Sequence, residues 1–286
     1  MDIGISFNPR AYGGEKMYKI LSEAGFKAID FGMANVALDP YYNLPEEEWI
    51  EYTKRQRRLI EDLGMYVNQV HGPWKYPPRD GTPEERDELF GKICITLHAA
   101  QVIGAKYMVI HPIMPFGAET MPPEKKDENY AINMEFFRRV CDEAGKRDIT
   151  VCLENMPMVG YGIARPREIY EFVKDMNHPN MKMCLDTGHA TFFKDVDLVS
   201  DILKYGDVIK TLHIHDNKGK CDDHTYPYFG DIDWDGIAKS LKAVGYDGVF
   251  NLETDNPSLK LPLEIQAEIY KLHYHIAQYI VKQITE

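Results

Sequence analysis

Short apolar runs alternate with longer stretches of helical periodicity along the whole chain, and this alternation restricts the fold more than any other feature. Eight such pairs in 286 residues give about 35 residues per pair, as a (β/α)8 barrel requires. The predicted strands are Ile3–Phe7, Ala28–Met33, Tyr66–His71, Tyr107–His111, Thr150–Glu154, Met181–Asp186, the run from Val208 to Ile214, and Val249–Glu253. We therefore predict a single-domain α/β (β/α)8 barrel over residues 1–286. A doubly wound sheet is less favoured, because no glycine-rich phosphate-binding motif follows the first strand.

Helix boundary signals support these pairs. Thr82-Pro83-Glu84-Glu85 is typical of a capping box, acidic residues follow Pro45, and Gly25 suits the end of a first helix. After that first helix, the predicted helices span Pro45–Gly64, Thr82–Gly104, Glu128–Lys146, Pro166–Met176, Asp195–Tyr205, Asp233–Gly245 and Leu263–Ile284. The proline-containing loop Ile113–Lys126 is a predicted active-site cover.

Ionisable side chains occupy the carboxyl-terminal ends of six successive predicted strands. They are His71, His111, Glu154, Asp186, His213 and Glu253. In a barrel these strand ends form one ring, and barrel enzymes place their active sites there. Carboxylates and imidazoles that converge on one point repel and lose solvation unless a cation lies among them. The pattern therefore predicts a divalent metal site with oxygen and nitrogen ligands, which suit Mn²⁺, Mg²⁺, Co²⁺ or Zn²⁺.

Two further histidines lie close to these strand ends in the sequence. Strand alternation directs His213 and His215 to the same side, as metal ligands or as buried histidines held by backbone carbonyls. His189 follows Asp186 by three residues, a spacing at which a turn can bring both side chains to one site. The sequence therefore places more imidazoles near this ring than one ion requires.

Two other pairs of residues flank the predicted ring. Asp222 and His224 alternate in the loop after the seventh strand, either as ligands of a second ion or as part of a solvated acidic loop. Cys152 and Cys184 each precede a strand-end carboxylate by two residues, so alternation places them inward but one layer deeper. We interpret both cysteines as small core residues.

Composition argues against several classes of protein. The net charge of −12 disfavours tight binding to a nucleic-acid backbone, although a local basic groove is not excluded. Five cysteines without a CxxC pair indicate reduced thiols, so we predict a cytoplasmic protein. The first residues lack the features of a signal peptide, and no apolar run reaches the length of a membrane span.

The motifs together resemble the xylose isomerase-like TIM-barrel superfamily, which includes sugar isomerases, epimerases and the endonuclease IV enzymes. The resemblance covers nearly the whole chain and follows the strand order. The matching motifs are Val70-His71-Gly72-Pro73, Ile110-His111-Pro112, Leu153-Glu154-Asn155, Leu185-Asp186-Thr187-Gly188-His189, His213-Ile214-His215-Asp216-Asn217 and Leu252-Glu253.

For the isomerases and epimerases, the resemblance implies one divalent ion, with His213 rather than His215 as the imidazole ligand. The implied ligands are Glu154, Asp186, His213 and Glu253. The two glutamates would also move a proton on and off the carbon beside a substrate carbonyl, through an enediolate. The residues implied to contact substrate are His111, His189, Lys218, Trp74 and Phe7.

Endonuclease IV enzymes hold three zinc ions with nine ligands, and each ligand has a counterpart in this chain. Beyond the four above, these are His71, His111, His189, Asp222 and His224. The acidic charge and the short stretch Lys218–Cys221 argue against a nuclease, because endonuclease IV has a longer, basic segment there. The run Gly230–Trp234 is also more similar to the sugar enzymes.

We therefore predict a metal-dependent isomerase or epimerase acting on a sugar or keto-polyol, with a small-molecule substrate and one to three divalent ions. Three alternatives stay open: a zinc phosphodiesterase acting at abasic sites in DNA, a keto-sugar or cyclitol dehydratase, and a noncatalytic binding barrel. The resemblance is also compatible with a homo-oligomer.

Overall fold

Eight parallel strands form the centre of the molecule. The computed structural model describes residues 1–10, 13–33, 40–75, 77–78, 80–117, 121–254 and 261–286. The strands are β1 (Ile3–Phe7), β2 (Ala28–Gly32), β3 (Tyr66–His71), β4 (Tyr107–Ile110), β5 (Thr150–Glu154), β6 (Met181–Asp186), β7 (Ile209–His213) and β8 (Phe250–Leu252). They lie in one sheet in the order β7-β6-β5-β4-β3-β2-β1-β8.

This sheet closes into a barrel. Strand β1 pairs in parallel with both β2 and β8. A parallel bridge joins Ile214, just after β7, to Leu252 of β8. The amide of Ile214 donates to the carbonyl of Asn251 (2.9 Å), and the amide of Glu253 donates to the carbonyl of Ile214 (2.9 Å). The predicted (β/α)8 barrel is confirmed, and a doubly wound sheet is excluded because its outer strands would not meet.

The eight predicted strand positions are confirmed, with small differences at their ends. Strand β4 ends at Ile110 rather than His111. Pro112, which follows His111, has no N–H to continue the ladder. Strand β2 ends one residue early, at Gly32, and β8 is shorter than predicted at both ends.

Helices pack around the barrel and connect the strands. The part of the chain that the structure describes contains α1 (Lys16–Ala24), α2 (Glu46–Asp62), α3 (Pro83–Ile103), α4 (Lys126–Gly145), α5 (Pro166–Met176), α6 (Thr187–Ala190), α7 (Leu198–Tyr205), α8 (Trp234–Ala243) and α9 (Leu263–Thr285). Short 3₁₀ helices lie at Pro40–Asn43 and Pro123–Lys125.

The helix boundary signals act as expected, with two exceptions. The Thr82 hydroxyl accepts from the amide of Glu85, and the Glu85 carboxylate accepts from the amide of Thr82, so the capping box is confirmed. The start of the sixth predicted helix at Asp195 is wrong, because the Asp197 side chain accepts from the amides of Val199 and Ser200 and begins α7 at Leu198. The one-turn helix α6 was not predicted.

The barrel interior is apolar at depth and polar toward the carboxyl ends of the strands. Val109, Cys152 and Cys184 form a small buried cluster against Tyr107. Burial raises the pKa of Cys152 to about 12 and the pKa of Cys184 well above its usual value, so both thiols are uncharged. The interpretation of the two cysteines as small core residues is confirmed.

The loop after β4 is anchored where it begins. The Asn133 side chain of α4 pairs with the amide and the carbonyl of Ile113, and the Asp80 carboxylate accepts from the amide of Met114 (2.8 Å). Residues 118–120 of the predicted cover Ile113–Lys126 lie outside the described residues, so the role of this loop as a cover stays a prediction.

Two further observations bear on cellular environment. All five cysteines are free. Within the described ranges, we find no helix with the length and apolarity needed to span a lipid bilayer. The cytoplasmic location stays a prediction.

Buried His273 of α9 makes stability dependent on pH. Its Nδ1 lies 3.1 Å from the Thr254 hydroxyl, its ring packs against Tyr226, and burial lowers its pKa to about 3. The unfolded chain therefore binds a proton below pH ~6.5 that the folded chain excludes, so stability is lost as the pH falls from ~6.5 toward 3. We expect His273→Gln, which does not titrate, to reduce the loss between pH 6.5 and 4.5 by about 2–3 kcal/mol in denaturant unfolding.

The control for this prediction is His275→Gln, which changes an exposed histidine on the same helix. Its pH profile should match that of the wild type. If His273→Gln also follows the wild-type profile, His273 is not the group responsible.

Candidate metal centre

The six ionisable residues predicted at strand ends lie at one end of the barrel. His71, Glu154, Asp186 and His213 are the last residues of β3, β5, β6 and β7. His111 and Glu253 each follow the last residue of a strand. Barrel closure therefore turns a pattern spread over nearly two hundred residues into one ring of side chains.

A first group of four residues lies in the middle of this ring. One ligand atom from each of Glu154, Asp186, His213 and Glu253 lies within 4.8 Å of the others. Nδ1 of His213 is 2.8 Å from Oε1 of Glu154 and 3.1 Å from Oε2 of Glu253. These four residues are the predicted ligands of a single ion, and we call them the central group.

Two more histidines approach the outer oxygen of Glu154. Nε2 of His71 lies 3.4 Å from Oε2 of Glu154, and Nε2 of His111 lies 3.2 Å from the same oxygen. The two imidazole rings meet edge to face, with centroids 4.9 Å apart. Glu154 is therefore shared between the central group and this histidine pair.

A second cluster lies beside the central group and contains His189, His215, Asp222 and His224, whose ligand atoms lie within 4.8 Å of one another. Oδ2 of Asp222 is 3.2 Å from Nε2 of both His189 and His224. The rings of His215 and His224 stack, with centroids 4.2 Å apart and planes 2° apart. We call these four residues the lateral group.

Local backbone structure explains how Asp186 and His189 come together. The Asp186 side chain accepts a hydrogen bond from the amide of His189 and so caps the one-turn helix α6. The Thr187 hydroxyl donates to the carbonyl of His215 (2.8 Å). The turn after β6, which carries His189, is therefore hydrogen-bonded to the segment after β7, which carries the other three residues of the lateral group.

Electrostatics favour the ionised form of both glutamates of the central group. Burial opposes ionisation of Glu154, but His213, His111 and His71 hold its pKa well below the usual range. Burial also opposes ionisation of Glu253, and His213 and His224 lower its pKa. Both side chains are therefore proton acceptors at neutral pH.

Two histidines of the lateral group, His189 and His224, carry compensating positive charge, because neighbouring carboxylates raise the pKa of each. Burial lowers the pKa of His224, but Glu253 and Asp222 outweigh it and raise that pKa to about 10. A cation that enters this cluster must displace such protons, so proton release accompanies metal binding.

The donor set fits a divalent cation. Oε2 of Glu154 and Oε2 of Glu253 are buried and accept no well-aligned hydrogen bond from the described residues, although imidazole nitrogens lie 3.1–3.4 Å away. Buried carboxylate oxygens without an aligned donor are costly, and a cation among oxygen and imidazole ligands would satisfy them. Cys152 and Cys184 lie one layer deeper, and neither group contains a cysteine among the described residues.

The predicted substrate-contact residues take different positions. The Trp74 ring lies 6.1 Å from the ring of His111. Lys218 is exposed and lines a cavity of about 380 Å³ with Asn217 and Gly219. Phe7 is buried and packs edge to face on Tyr18 of α1. Substrate contact by these residues, and by His111 and His189, stays a prediction.

Sequence reasoning missed two residues that contact the central group. Asp30 of β2 contacts His213, and Asn155 pairs with the backbone of Asp186. His215, for which the sequence left open a metal ligand or a buried histidine, lies in the lateral group. A sequence signal existed for Asp30, which is the one charged residue in the predicted strand Ala28–Met33.

Comparison with known proteins agrees with this architecture. The family described as xylose isomerase-like TIM barrel matches residues 18–272. The chain belongs to this family. A probable endonuclease 4 of Metamycoplasma arthritidis is 30% identical over 226 residues, covering 70% of this chain and 78% of that protein. An uncharacterized protein of Methanocaldococcus jannaschii, MJ1311, is 30% identical over 195 residues, and the alignment spans 64% of its length.

Solved structures of other proteins share the fold. D-psicose 3-epimerase from Clostridium cellulolyticum H10, determined with D-tagatose, superimposes with a TM-score of 0.76 at 16% identity and covers 98% of this chain and 99% of its own. The IOLI protein with a bound zinc atom superimposes with a TM-score of 0.74 at 17% identity, covering 99% and 98%. At these identities the likeness establishes the fold alone.

The His215 ring lies so close to the backbone of Gly188 that no side chain fits at residue 188. A Cβ atom at residue 188 would lie 2.0 Å from Cε1 and 2.2 Å from Nδ1 of His215. We expect Gly188→Ala to displace the imidazole from Asp186 and His224 and to lower the free energy of unfolding by about 1–3 kcal/mol, measured by chemical denaturation.

The matched control is Gly91→Ala on α3, where a Cβ meets no atom within 4 Å. Alanine should stabilise that helix slightly. A Gly188→Ala variant as stable as the wild type would contradict the expected clash.

Proposed function

We propose that the chain is a divalent-metal-dependent isomerase or epimerase of a sugar or keto-polyol, with Glu154 and Glu253 as its acid–base pair. The observation that carries the proposal is the convergence of these two carboxylates on Nδ1 of His213, at 2.8 and 3.1 Å. Each glutamate also has one buried oxygen that accepts no well-aligned hydrogen bond from the described residues.

The reaction needs a base and an acid on a carbon beside a carbonyl. One glutamate takes the proton from that carbon, and the electron pair of the C–H bond moves into an enediolate. When the same glutamate returns that proton to the neighbouring carbon, the product is an isomer. An epimer forms when the other glutamate, protonated from solvent before the step, gives its proton to the opposite face and the first glutamate releases its proton to solvent. The lowered pKa values of Glu154 and Glu253 leave either carboxylate free to act as the base.

The residues that would hold the cation are the central group, with His213 as its imidazole. When bound there, a divalent ion supplies Lewis acidity that polarises the carbonyl and offsets the negative charge of the enediolate. Trp74 and His111, which lie together beside Glu154, would bound the pocket on one side.

The family also contains proteins whose names match this chemistry. The D-psicose 3-epimerase has the same fold over nearly the whole chain, and a ketose 3-epimerase of Arthrobacter globiformis is 28% identical over 125 residues. The zinc atom in the IOLI structure supports a metal-dependent reaction.

A zinc phosphodiesterase is the second candidate, and the lateral group favours it. His189, Asp222 and His224 are arranged around a point outside the central group, and His71 and His111 flank Glu154. The probable endonuclease 4 relative also supports this candidate. The net charge of −12 argues against a surface adapted to DNA.

Glu154→Gln tests the proposed acid–base pair. The amide keeps the shape of the side chain but cannot accept the proton, so we expect the rate to fall by about 10²- to 10⁴-fold. The assay follows deuterium incorporation from D₂O beside the carbonyl of D-fructose, D-psicose or D-tagatose by NMR, with manganese or cobalt at saturation.

The matched control is Glu23→Gln, which changes an exposed glutamate paired with Lys19 and should leave the rate unchanged. Full exchange activity in a metal-loaded Glu154→Gln variant would overturn the role of Glu154. No exchange by the wild type with any of the three ketoses would count against these sugars as substrates.

Metal content separates the two candidate functions. If only the central group binds a metal ion tightly, elemental analysis of purified protein should give about one metal ion per chain. An oligonucleotide with one abasic site should then stay uncut, even with zinc added. Two or three zinc ions per chain together with cleavage of that oligonucleotide would overturn the isomerase proposal in favour of the phosphodiesterase.

A further inference from the structure

Asp30 is a buried carboxylate below the central group. It lies on β2 with 1% of its surface exposed. Its Oδ2 atom accepts from the Ser6 hydroxyl (3.0 Å) and from the Gln69 amide (3.1 Å), which project from β1 and β3. Strand register fixes these partners, because Asp30 pairs with Ser6 on one side and Gln69 on the other. Two neighbouring strands therefore hold Asp30 in place.

The third partner of the same oxygen is His213. Nε2 of His213 lies 2.9 Å from Oδ2 of Asp30, while Nδ1 of that ring faces Glu154 and Glu253. Oδ2 of Asp30 already accepts from Ser6 and Gln69, and we assign the proton of this third contact to Nε2 of His213. With the proton on Nε2, Nδ1 is the ring nitrogen left to bind a cation.

We propose that Asp30 is a positioning residue that holds His213 as the Nε2–H tautomer, with the lone pair of Nδ1 directed at a cation in the central group. The inference rests on the proposed metal site but not on the identity of the substrate. Metal-binding histidines commonly donate their second N–H to a carboxylate, which orients the ring and makes the ligand more basic.

The three donors around Oδ2 of Asp30 predict how its variants behave. Oδ1 of Asp30 has no hydrogen-bond partner among the described residues. In Asp30→Asn, the amide oxygen would therefore stay among the three donors, with the NH₂ group at the unpartnered position. This variant keeps an acceptor for His213 but loses the charge, whereas Asp30→Ala loses both.

The experiment measures zinc affinity and the position of the histidine proton without any substrate. Zinc dissociation constants are obtained by competition with a chromogenic chelator. Nitrogen-15 NMR of zinc-loaded protein reports which ring nitrogen of His213 carries the proton, with the signals assigned by comparison with His213→Gln. Ser6→Ala is the matched control, because it removes one donor to Asp30 and leaves the contact with His213.

We expect Asp30→Ala to weaken zinc binding by about 10- to 100-fold and Asp30→Asn by less, with Ser6→Ala within about twofold of the wild type. The NMR spectrum of the wild type and of Asp30→Asn should show the proton on Nε2. If Asp30→Ala does not fold, the affinity and proton position in Asp30→Asn decide the question.

The proposal is overturned if the proton of zinc-loaded His213 lies on Nδ1, or if the folded Asp30 variants bind zinc as tightly as the wild type. Failure of the proposed function gives a different result. In that case, zinc affinity depends on Asp30 as expected, yet the wild type exchanges no proton with any ketose. A wild type that binds no divalent ion overturns both proposals.

Discussion

The need to compensate buried charge around Glu154 shapes one whole end of the barrel. Its carboxylate is almost completely enclosed, and imidazoles from β3, β7 and the segments after β4 and β6 approach its two oxygens. No single pair of these contacts could offset the loss of hydration of a carboxylate. The buried carboxylate of Glu154 is stabilised only because four separate segments of the chain each place an imidazole beside it. These segments come together only in the closed barrel.

The contacts that close the barrel also bring residues of the site together. The bridge between Ile214 and Leu252 completes the cylinder, and Ile214 lies between His213 and His215. The same bridge places Glu253 beside His213. The backbone hydrogen bonds that close the sheet are therefore the ones that align residues of the central and lateral groups. Rigid strands carry the central group, while the lateral group depends on the turn after β6 and the loop after β7.

Much of this arrangement could be predicted from the sequence, because it follows from periodicity. Each strand is recognisable as an apolar run, and the run itself shows which residue lies at the strand's carboxyl end. Six residues of the ring can therefore be predicted once a barrel is assumed. Contacts that depend on register could not be predicted in this way. Asp30 and His213 are 183 residues apart, and nothing in either segment indicates that they touch. His215 likewise meets His224 only because a loop folds back.

The helix boundaries show the same difference between local interactions, which the sequence predicts, and contacts that depend on the folded chain, which it does not. Capping chemistry located the start of α3 at Thr82, since the hydrogen bonds involved are local. The start of α7 was misplaced because two aspartates precede that helix, and only the folded turn decides which one binds the amides. The position of Gly188 against the His215 ring is another contact between distant segments, and it explains a glycine that the sequence alone leaves unexplained.

Pairing of β1 with β8 also has a consequence for biosynthesis. Strand β1 is synthesised long before β8, so it acquires this second neighbour late, and Glu253 becomes available only then. A cation that needed all four residues of the central group could therefore bind only after β8 had been made.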